Sequence, residues 1–232
     1  MRDPLPMAIR QVAIDGPAAS GKSTAARLVA ERLGGFYINT GDMYRTITRE
    51  VQQNGIDPGE HPEKLPDLLQ RIDLRYKKSA TGSVHLTLNG HPVRQEDIRA
   101  PGVTQLVSFV ARIPAVRDWL RDRQRETRQL GTIVMEGRDI GTVILPDATH
   151  KFFLIASPME RARRRLAQKG ETIEGATLES VAEAIAERDR IDSSREVAPL
   201  RAAPDAICIW NDHMTPEQVR DTIVKLVEEH TS

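Results

Sequence analysis

The sequence predicts an α/β fold in which helices cover both faces of a parallel central sheet. Short, continuous apolar runs, which are typical of buried strands, alternate with segments in which apolar residues recur at helical spacing. The five runs are residues 12–14, 36–38, 132–135, 151–156 and 206–210. With 232 residues, the chain is long enough for one large core with insertions.

The first apolar run leads into a glycine-containing loop. Residues 11–15 are a β-type run, and the loop that follows fits the pattern G-x-x-x-x-G-K-[ST] with Gly16, Gly21, Lys22 and Ser23. Such a loop directs backbone N–H groups, together with the positive end of the next helix, at an enclosed anion. The alternative is a turn that only joins a strand to a helix, but the lysine and the hydroxyl favour a nucleoside triphosphate site.

The loop pattern also predicts what its last residues, Lys22 and Ser23, would bind. Lys22 would reach the β- and γ-phosphates of the nucleotide, and the hydroxyl of Ser23 would be a ligand of Mg²⁺. Beyond them, Ala25, Leu28, Val29 and Leu33 lie at helical spacing before a Gly-Gly pair that would end the helix. We therefore expect the order strand, loop, helix.

Polar residues follow the second and third strands. The segment "TGDMYR" supplies Thr40, Tyr44 and Arg45, and "GRDIGT" supplies Arg138 and Asp139. Ligands of open α/β sheets bind at the carboxyl ends of the strands, so these residues are candidates for a second anion site. A solvated helix position for Arg45, or a local ion pair between Arg138 and Asp139, is the alternative.

A charged segment near the end supplies further arginines. In "ERDRIDSSR", Arg188, Asp192 and Arg195 stand at i, i+4 and i+7, so they share one face if the segment is helical. A surface salt bridge between Arg188 and Asp192 is the alternative. The preceding residues, from 157, are highly charged and contain two helical patterns around a glycine-containing centre, which suggests a mobile cover.

Two other segments have recognisable local signals. Residues 57–101 are rich in Pro, Gly and polar residues and predict an inserted α/β subdomain, in which "RYKK" and "VHLTLNGHPV" are short strands that meet at the Asn89-Gly90 turn. The last helix begins with Thr215 as its N-cap, Pro216 at its first position and Gln218 in a capping box.

Composition excludes several classes of protein. The 33 basic and 33 acidic residues cancel, so no global charge favours nucleic acid or an anionic membrane. The single cysteine, Cys208, lies in an apolar run and is expected to be a small buried residue. The six histidines have no metal-ligand spacing, and surface or turn roles are expected for them. No run reaches the length of a membrane span, and we expect a cytoplasmic monomer.

Binding of a triphosphate leaves a switch, a motor or a transferase open. A guanine-specific switch would need an Asn-Lys-x-Asp element, and none of the four asparagines begins one. The remaining alternatives are kinases of other small substrates, such as adenylate, uridylate or a sugar or shikimate-type hydroxyl, and a non-catalytic nucleotide-binding regulator.

The order of the motifs resembles that of the bacterial cytidylate kinases. The segments "IDGPAASGKST", "NTGDMYR", "VARIPAVRDWLRDRQR", "MEGRDIGTVILPDA" and "ERDRIDSSREVAPL" are similar to that family from about residue 12 to residue 227. The resemblance implies ATP-dependent phosphorylation of CMP and dCMP to CDP and dCDP, with Mg²⁺. It also implies a three-layer P-loop fold with a core of residues 1–38, 109–156 and 192–232, an NMP-binding domain of residues 39–108 and a helical lid of residues 157–191.

The resemblance also implies a role for each matched residue. The ATP-binding residues would be Gly16, Pro17, Ala18, Ala19, Ser20, Gly21, Lys22, Ser23 and Thr24. In the acceptor site, the residues that meet the cytosine would be Ser108, Arg117 and Asp139, and those near the ribose Arg188 and Asp192. The residues around the acceptor phosphate would be Thr40, Tyr44, Arg45, Arg138 and Arg195.

The catalytic set implied by the family consists of cations. It comprises Lys22, Arg138 and Arg195, with Arg161 and Arg164 of the lid coming down over the phosphates. One departure concerns Glu136, which stands where the family often has an aspartate, so the placement of this carboxylate near Mg²⁺ has to come from the structure.

Overall fold

The computed structural model describes residues 9–168, 172 and 175–229. In chain order, the strands and helices are β1 (Gln11–Asp15), α1 (Lys22–Arg32), β2 (Phe36–Asn39), α2 (Thr40–Gln53), α3 (Leu65–Arg71), β3 (Leu74–Lys78), β4 (Val84–Leu88), β5 (His91–Pro92), α4 (Gln95–Ile98), α5 (Pro101–Val110), α6 (Pro114–Glu126), β6 (Ile133–Gly137), β7 (His150–Ile155), α7 (Pro158–Leu166), α8 (Leu178–Ser193), β8 (Ile207–Trp210) and α9 (Pro216–Glu229).

The central sheet has five parallel strands in the order β2-β6-β1-β7-β8. Each strand lies within two residues of an apolar run that predicted it, so the α/β prediction is confirmed. The runs are continuous because both faces of the sheet are covered. Val12 and Ile14 pack in the cluster that contains α1 and α9, whereas Ala13, between them, belongs to the cluster on the other face.

Within residues 57–101 the chain forms a three-stranded antiparallel sheet, β3-β4-β5, beside α3. Asn89 and Gly90 both have positive φ angles, 51° and 84°, as a two-residue type I′ turn requires. This turn joins β4 to β5, so the prediction that it links "RYKK" to the next strand was wrong. The strand β3 instead pairs with β4 across residues 79–83, where Ser79 N donates to Ser83 O at 2.7 Å.

The charged segment after β7 forms two helices that pack on the glycine-containing loop. Val181 and Ile185 of α8 and Ala162 of α7 share a small apolar cluster with Ala18. Residues 169–171, 173 and 174, most of the centre between the two helical patterns, lie outside the described residues. The division of the chain into a core, an NMP-binding part and a lid stays a prediction.

Three local predictions have clear outcomes. The capping box of α9 is confirmed, because Thr215 N donates to Gln218 Oε1 at 2.8 Å and Gln218 N to Thr215 Oγ1 at 3.3 Å. The burial of Cys208 was wrong: β8 is an edge strand and only Ile209 of its four residues is buried. The surface role of His150 was also wrong, because it lies buried in β7.

The described part of the chain contains no helix that combines the length and the apolar composition needed to cross a bilayer.

Candidate functional site

The loop between β1 and α1 passes very close to the sheet. A Cβ atom added at Gly16 would come within 2.4 Å of the carbonyl oxygen of Leu154, and the φ angle of Gly16 is +150°. Gly21, immediately before α1, has a φ angle of +89°. The two glycines therefore allow the loop to curve over the end of β1 and to lead directly into the N-terminus of α1.

Lys22 is buried at the start of α1. Its Nζ donates to the carbonyl oxygen of Pro17 at 2.6 Å and to Ser20 Oγ at 3.4 Å. Burial, and then the positive charge of Arg138, lower the pKa of Lys22 to about 7. A polyphosphate between the loop and this amine would provide the negative charge that the site needs.

Ser23 is hydrogen-bonded to the carboxylate at the end of β6. Its Oγ donates to Glu136 Oε1 at 2.6 Å, and the Tyr37 hydroxyl donates to the same oxygen at 3.0 Å. Burial and the charge of Glu136 raise the pKa of Tyr37 far above its ordinary value, so the tyrosine stays a neutral donor. The longer side chain of Glu136 thus still brings its carboxylate to the hydroxyl predicted to bind Mg²⁺.

The donor cavity, as we call the space beside this loop, has a volume of about 670 Å³. The cavity is lined by Ser23 and Thr24 at the start of α1, Tyr37 of β2, Asn211 after β8 and Arg99 after α4. Described residues from distant parts of the chain therefore converge on the carboxyl edge of the sheet.

A second cavity, the acceptor cavity, shares Lys22 and Ser23 with the first. It has a volume of about 130 Å³. All ten residues predicted for the acceptor site line it: Thr40, Tyr44, Arg45, Ser108, Arg117, Arg138, Asp139, Arg188, Asp192 and Arg195. The structure thus brings together residues that are up to 155 positions apart in the chain.

The acceptor cavity is strongly positive. Eight of the described lining residues are lysine or arginine, and four are aspartate or glutamate. Arg188 has no hydrogen bond or ion pair with any residue that the structure describes, and its Nε is buried. Burial, and then the charge of Arg138, lower the pKa of Arg188 to about 9. An anion in the cavity would relieve this repulsion.

The carboxylate of Asp192 holds two of the other guanidinium groups in place. Asp192 accepts from Arg138 Nε at 2.9 Å and also from Arg195. Burial by itself would raise the pKa of Asp192, but these arginines outweigh it and keep the pKa below its ordinary value. The helix α8 ends at Ser193, so the condition of the prediction, a helix that includes all three residues, is not met for Arg195. This residue reaches the cavity from the segment that follows α8.

The residues predicted to meet the cytosine include a buried ion pair. Arg117 of α6 donates to Asp139 and, through Nη1, to the carbonyl oxygen of Ala111 at 3.1 Å. Asp139 keeps a second carboxylate oxygen that can accept another hydrogen bond. Tyr44 lies next to Arg117, whose guanidinium is 5.6 Å from the centre of the tyrosine ring.

The two lid arginines of the prediction contact the glycine-containing loop. Arg161 donates to the carbonyl oxygen of Ala18 at 3.2 Å and pairs with Asp189. Arg164 donates to the carbonyl oxygen of Ser20 at 3.3 Å and to Asn211 Oδ1 at 3.0 Å. Arg164 lines the donor cavity, whereas Arg161 is not among the described residues that line either cavity.

Sequence reasoning missed several residues at or beside the site, among them Arg165, Arg99 and Asp15. Arg165 and Arg99 line both cavities. Asp15 accepts from the backbone N–H groups of Ile140 at 2.9 Å and Gly141 at 2.7 Å and so orients the segment after β6. Burial raises the pKa of Asp15 to about 7. The position of Asp15 at the end of the first strand was the one sequence signal for it.

A strand, a phosphate-type loop and a helix, with two adjoining cation-rich cavities at the carboxyl edge of a parallel sheet, define a P-loop kinase. Comparison with known families is consistent with this class. The model of the family described as cytidylate kinase matches residues 12–229, and the chain belongs to that family.

Curated relatives agree over nearly the whole chain. The cytidylate kinase of Geobacillus thermodenitrificans is 47% identical over 218 residues, covering 94% of this chain and 96% of the relative. That of Limosilactobacillus fermentum is 46% identical and covers 94% and 95%. The bifunctional pantoate ligase/cytidylate kinase of Prochlorococcus marinus is 47% identical, and the chain spans 42% of its length. A shikimate kinase structure from Bacteroides thetaiotaomicron aligns with a TM-score of 0.49 at 14% identity, covering 97% of this chain and all of that one.

Proposed function

We propose that the protein transfers the γ-phosphate of ATP to CMP and to dCMP, giving CDP and dCDP. The observation that carries the proposal is the shared wall of the two cavities. Lys22 and Ser23 of the phosphate-type loop line both of them, and the ten predicted acceptor residues line the second. Two anions bound there would face each other across the loop, as phosphoryl transfer between them requires.

Charge determines the mechanism. The acceptor is a phosphate oxygen that is already ionised near neutral pH, so no general base is needed. The barrier comes from bringing two polyanions into line, and the site lowers it by positioning and by fixed positive charge. Lys22 and the loop N–H groups would neutralise the donor, while Arg138, Arg188 and Arg195 would neutralise the acceptor.

The residues at the loop fit a magnesium ion. Mg²⁺ prefers hard oxygen ligands and keeps several waters and phosphate oxygens. The hydroxyl of Ser23 and the carboxylate of Glu136 lie together at this point. These two residues would hold the ion, directly or through water, and the ion would supply charge neutralisation for the phosphates of ATP.

We assign the selection of the base to the buried pair Arg117 and Asp139, which lines the acceptor cavity. The free oxygen of Asp139 can accept from the exocyclic amine of cytosine, and Arg117 and Ser108 can donate to the ring carbonyl and nitrogen. Uracil presents a carbonyl in place of the amine, so one buried carboxylate oxygen would lose its donor. Leaving a buried polar group unpaired costs roughly 1–3 kcal/mol, which favours CMP over UMP.

Entry of the acceptor requires movement. The acceptor cavity, of about 130 Å³, is smaller than the roughly 300–1,000 Å³ typical of small-molecule pockets. We therefore expect the lid helices or the inserted subdomain to open for CMP and to close around it, which would exclude water and limit ATP hydrolysis. We also expect the protein to act as a monomer, which light scattering would test.

The experiment is a coupled ADP-release assay with ATP and separate acceptors: CMP, dCMP, UMP, AMP and GMP. The proposal requires the highest kcat/KM for CMP or dCMP, and no turnover without Mg²⁺. Faster turnover of AMP or UMP would mean that this nucleotide, and not CMP, is the preferred acceptor. Binding of ATP and CMP without ADP release would indicate a non-catalytic regulator.

A further inference from the structure

Both backbone polar groups of Ala18, in the middle of the phosphate-type loop, are bound by side chains of the lid helices. The N–H of Ala18 donates to Asp189 Oδ1 of α8 at 3.0 Å, and its carbonyl oxygen accepts from Arg161 Nη1 of α7 at 3.2 Å. Arg161 and Asp189 are also paired with each other. We refer to Ala18, Arg161 and Asp189 as the loop clasp.

The clasp holds a part of the loop that is costly to form. The next residue, Ala19, has a φ angle of +57°, in the left-handed region that residues with a Cβ seldom adopt. Such a conformation persists when neighbouring contacts determine it. Ala18 is buried, and the side chains of Arg161 and Asp189 are only 9% and 16% exposed, so little solvent competes for these contacts.

The helix that supplies Asp189 also reaches the acceptor cavity. Arg188 and Asp192 of α8 line that cavity, whereas Asp189 contacts the loop. Adjacent residues of an α-helix point about 100° apart, so one helix can present different side chains to the two sites. A shift of α8 that accompanied acceptor binding at Arg188 would therefore reach Ala18 through Asp189.

We propose that Asp189 is a positioning residue for the ATP loop and that it couples the binding of ATP to the binding of CMP. The coupling to CMP rests on the proposed function, whereas the role of Asp189 in ATP binding depends only on its contact with the loop. Asp189 itself touches neither substrate: it acts through the backbone of Ala18. By linkage, CMP then tightens ATP binding by the same factor by which ATP tightens CMP binding.

The test uses the non-hydrolysable analogue AMPPNP with Mg²⁺ and calorimetric titration of the whole chain, with and without saturating CMP. Asp189→Ala removes both contacts, and Asp189→Asn keeps an oxygen for the Ala18 N–H but removes the charge that pairs with Arg161. The matched control is Glu187→Gln, which breaks an exposed ion pair with Arg190 on the same helix.

We expect Asp189→Ala to raise the Kd of AMPPNP about tenfold, which is the effect of losing a charge-assisted hydrogen bond, and Asp189→Asn to raise it less. The Kd of CMP alone should stay within about twofold of the wild type. The ratio of AMPPNP affinities with and without CMP should fall towards one in both variants and stay unchanged in Glu187→Gln.

Wild-type AMPPNP affinity in Asp189→Ala would overturn the proposal. An equal loss of CMP and AMPPNP affinity together with a lower Tm would also overturn it, because that pattern means that Asp189 only stabilises α8. If Asp189→Ala does not fold, the same Kd values of AMPPNP and CMP are measured for Asp189→Asn and Arg161→Lys, and the same outcomes support or overturn the proposal. Failure of the proposed function would appear differently, as a wild-type protein that binds AMPPNP but not CMP.

Discussion

Ser23 Oγ and Glu136 Oε1 are 2.6 Å apart and hydrogen-bonded, although 113 positions separate the two residues in the chain. The contact links the start of α1 to the end of β6, the two elements whose ends meet beside β1. It places a hydroxyl and a carboxylate at one point on the wall of the acceptor cavity. That arrangement motivates the first prediction, and four others follow from neighbouring contacts.

Glu136→Gln should raise the Mg²⁺ concentration for half-maximal activity by about tenfold or more, because the charge that helps to hold the ion is lost. The KM for CMP should change little. Activity is measured over a Mg²⁺ titration at fixed ATP, with Glu31→Gln, on the exposed side of α1, as the control. An unchanged Mg²⁺ requirement would remove Glu136 from the ion site.

Lys22→Ala should abolish phosphoryl transfer and leave the fold intact, because the buried amine is the cation nearest the loop carbonyls. Transfer is measured by ADP release, and the fold by circular dichroism and thermal unfolding. Lys225→Ala, a change at an exposed lysine of α9, serves as the control. An active Lys22→Ala enzyme would contradict the assigned donor site.

ATP binding should take up a proton at pH 8. The pKa of Lys22 is about 7 in the ligand-free protein, so the Lys22 amine is neutral in most molecules at pH 8. The negative charge of a bound triphosphate raises that pKa. Affinity for MgAMPPNP should therefore fall as the pH rises from 7 to 9. Calorimetry in buffers of different ionisation enthalpy measures the uptake. The prediction fails if the uptake is close to zero or if Lys22→Met has the same uptake.

Arg195→Ala should lower kcat by roughly 10³-fold if this guanidinium stabilises charge in the transition state. Asp192 would keep its 2.9 Å contact with Arg138, so we expect only a small change in Tm. The control is Arg190→Ala, at an exposed position of α8. A variant with normal kcat but a lower yield of folded protein would reduce Arg195 to a structural ion-pair partner.

Asp139→Asn should reduce the preference for CMP over UMP, because the amide can donate to the uracil carbonyl as well as accept. The lost discrimination corresponds to roughly 1–3 kcal/mol, a tenfold to hundredfold change in the ratio of kcat/KM values. The same substitution removes the charge that faces Arg117, so Tm is measured alongside. Unchanged discrimination would move base recognition to other residues.

Much of the fold could be predicted because its signals are local. A continuous apolar run records burial on both faces of a strand, and the capping box at Thr215 and the turn at Asn89-Gly90 depend on adjacent residues. Residues 79–83, "SATGS", are a local turn signal that would have paired "RYKK" with β4, and the prediction did not use it. The exposure of Cys208 is not local, because it depends on β8 being the outermost strand.

Some features of the candidate site could likewise be predicted from the sequence, and others could not. The motifs predicted ten of the residues that line the acceptor cavity, but they did not separate the roles of adjacent arginines. Arg161 and Arg164 contact loop carbonyls, whereas Arg165, which the prediction omitted, lines both cavities. Which of these side chains faces a substrate depends on how α7 is rotated against the loop and α8.

The sequence by itself determined where the strands of the central sheet lie in the chain, where the phosphate-type loop is, and which side chains could form a second anion site. Each of these depends only on the spacing and type of residues close together in the chain. Only the tertiary structure decided that the ten residues predicted for the acceptor share one cavity, that Glu136 reaches Ser23 and that Asp189 holds Ala18. Such contacts join segments more than a hundred residues apart, and their geometry exists only after the sheet and the helices α7 and α8 have packed.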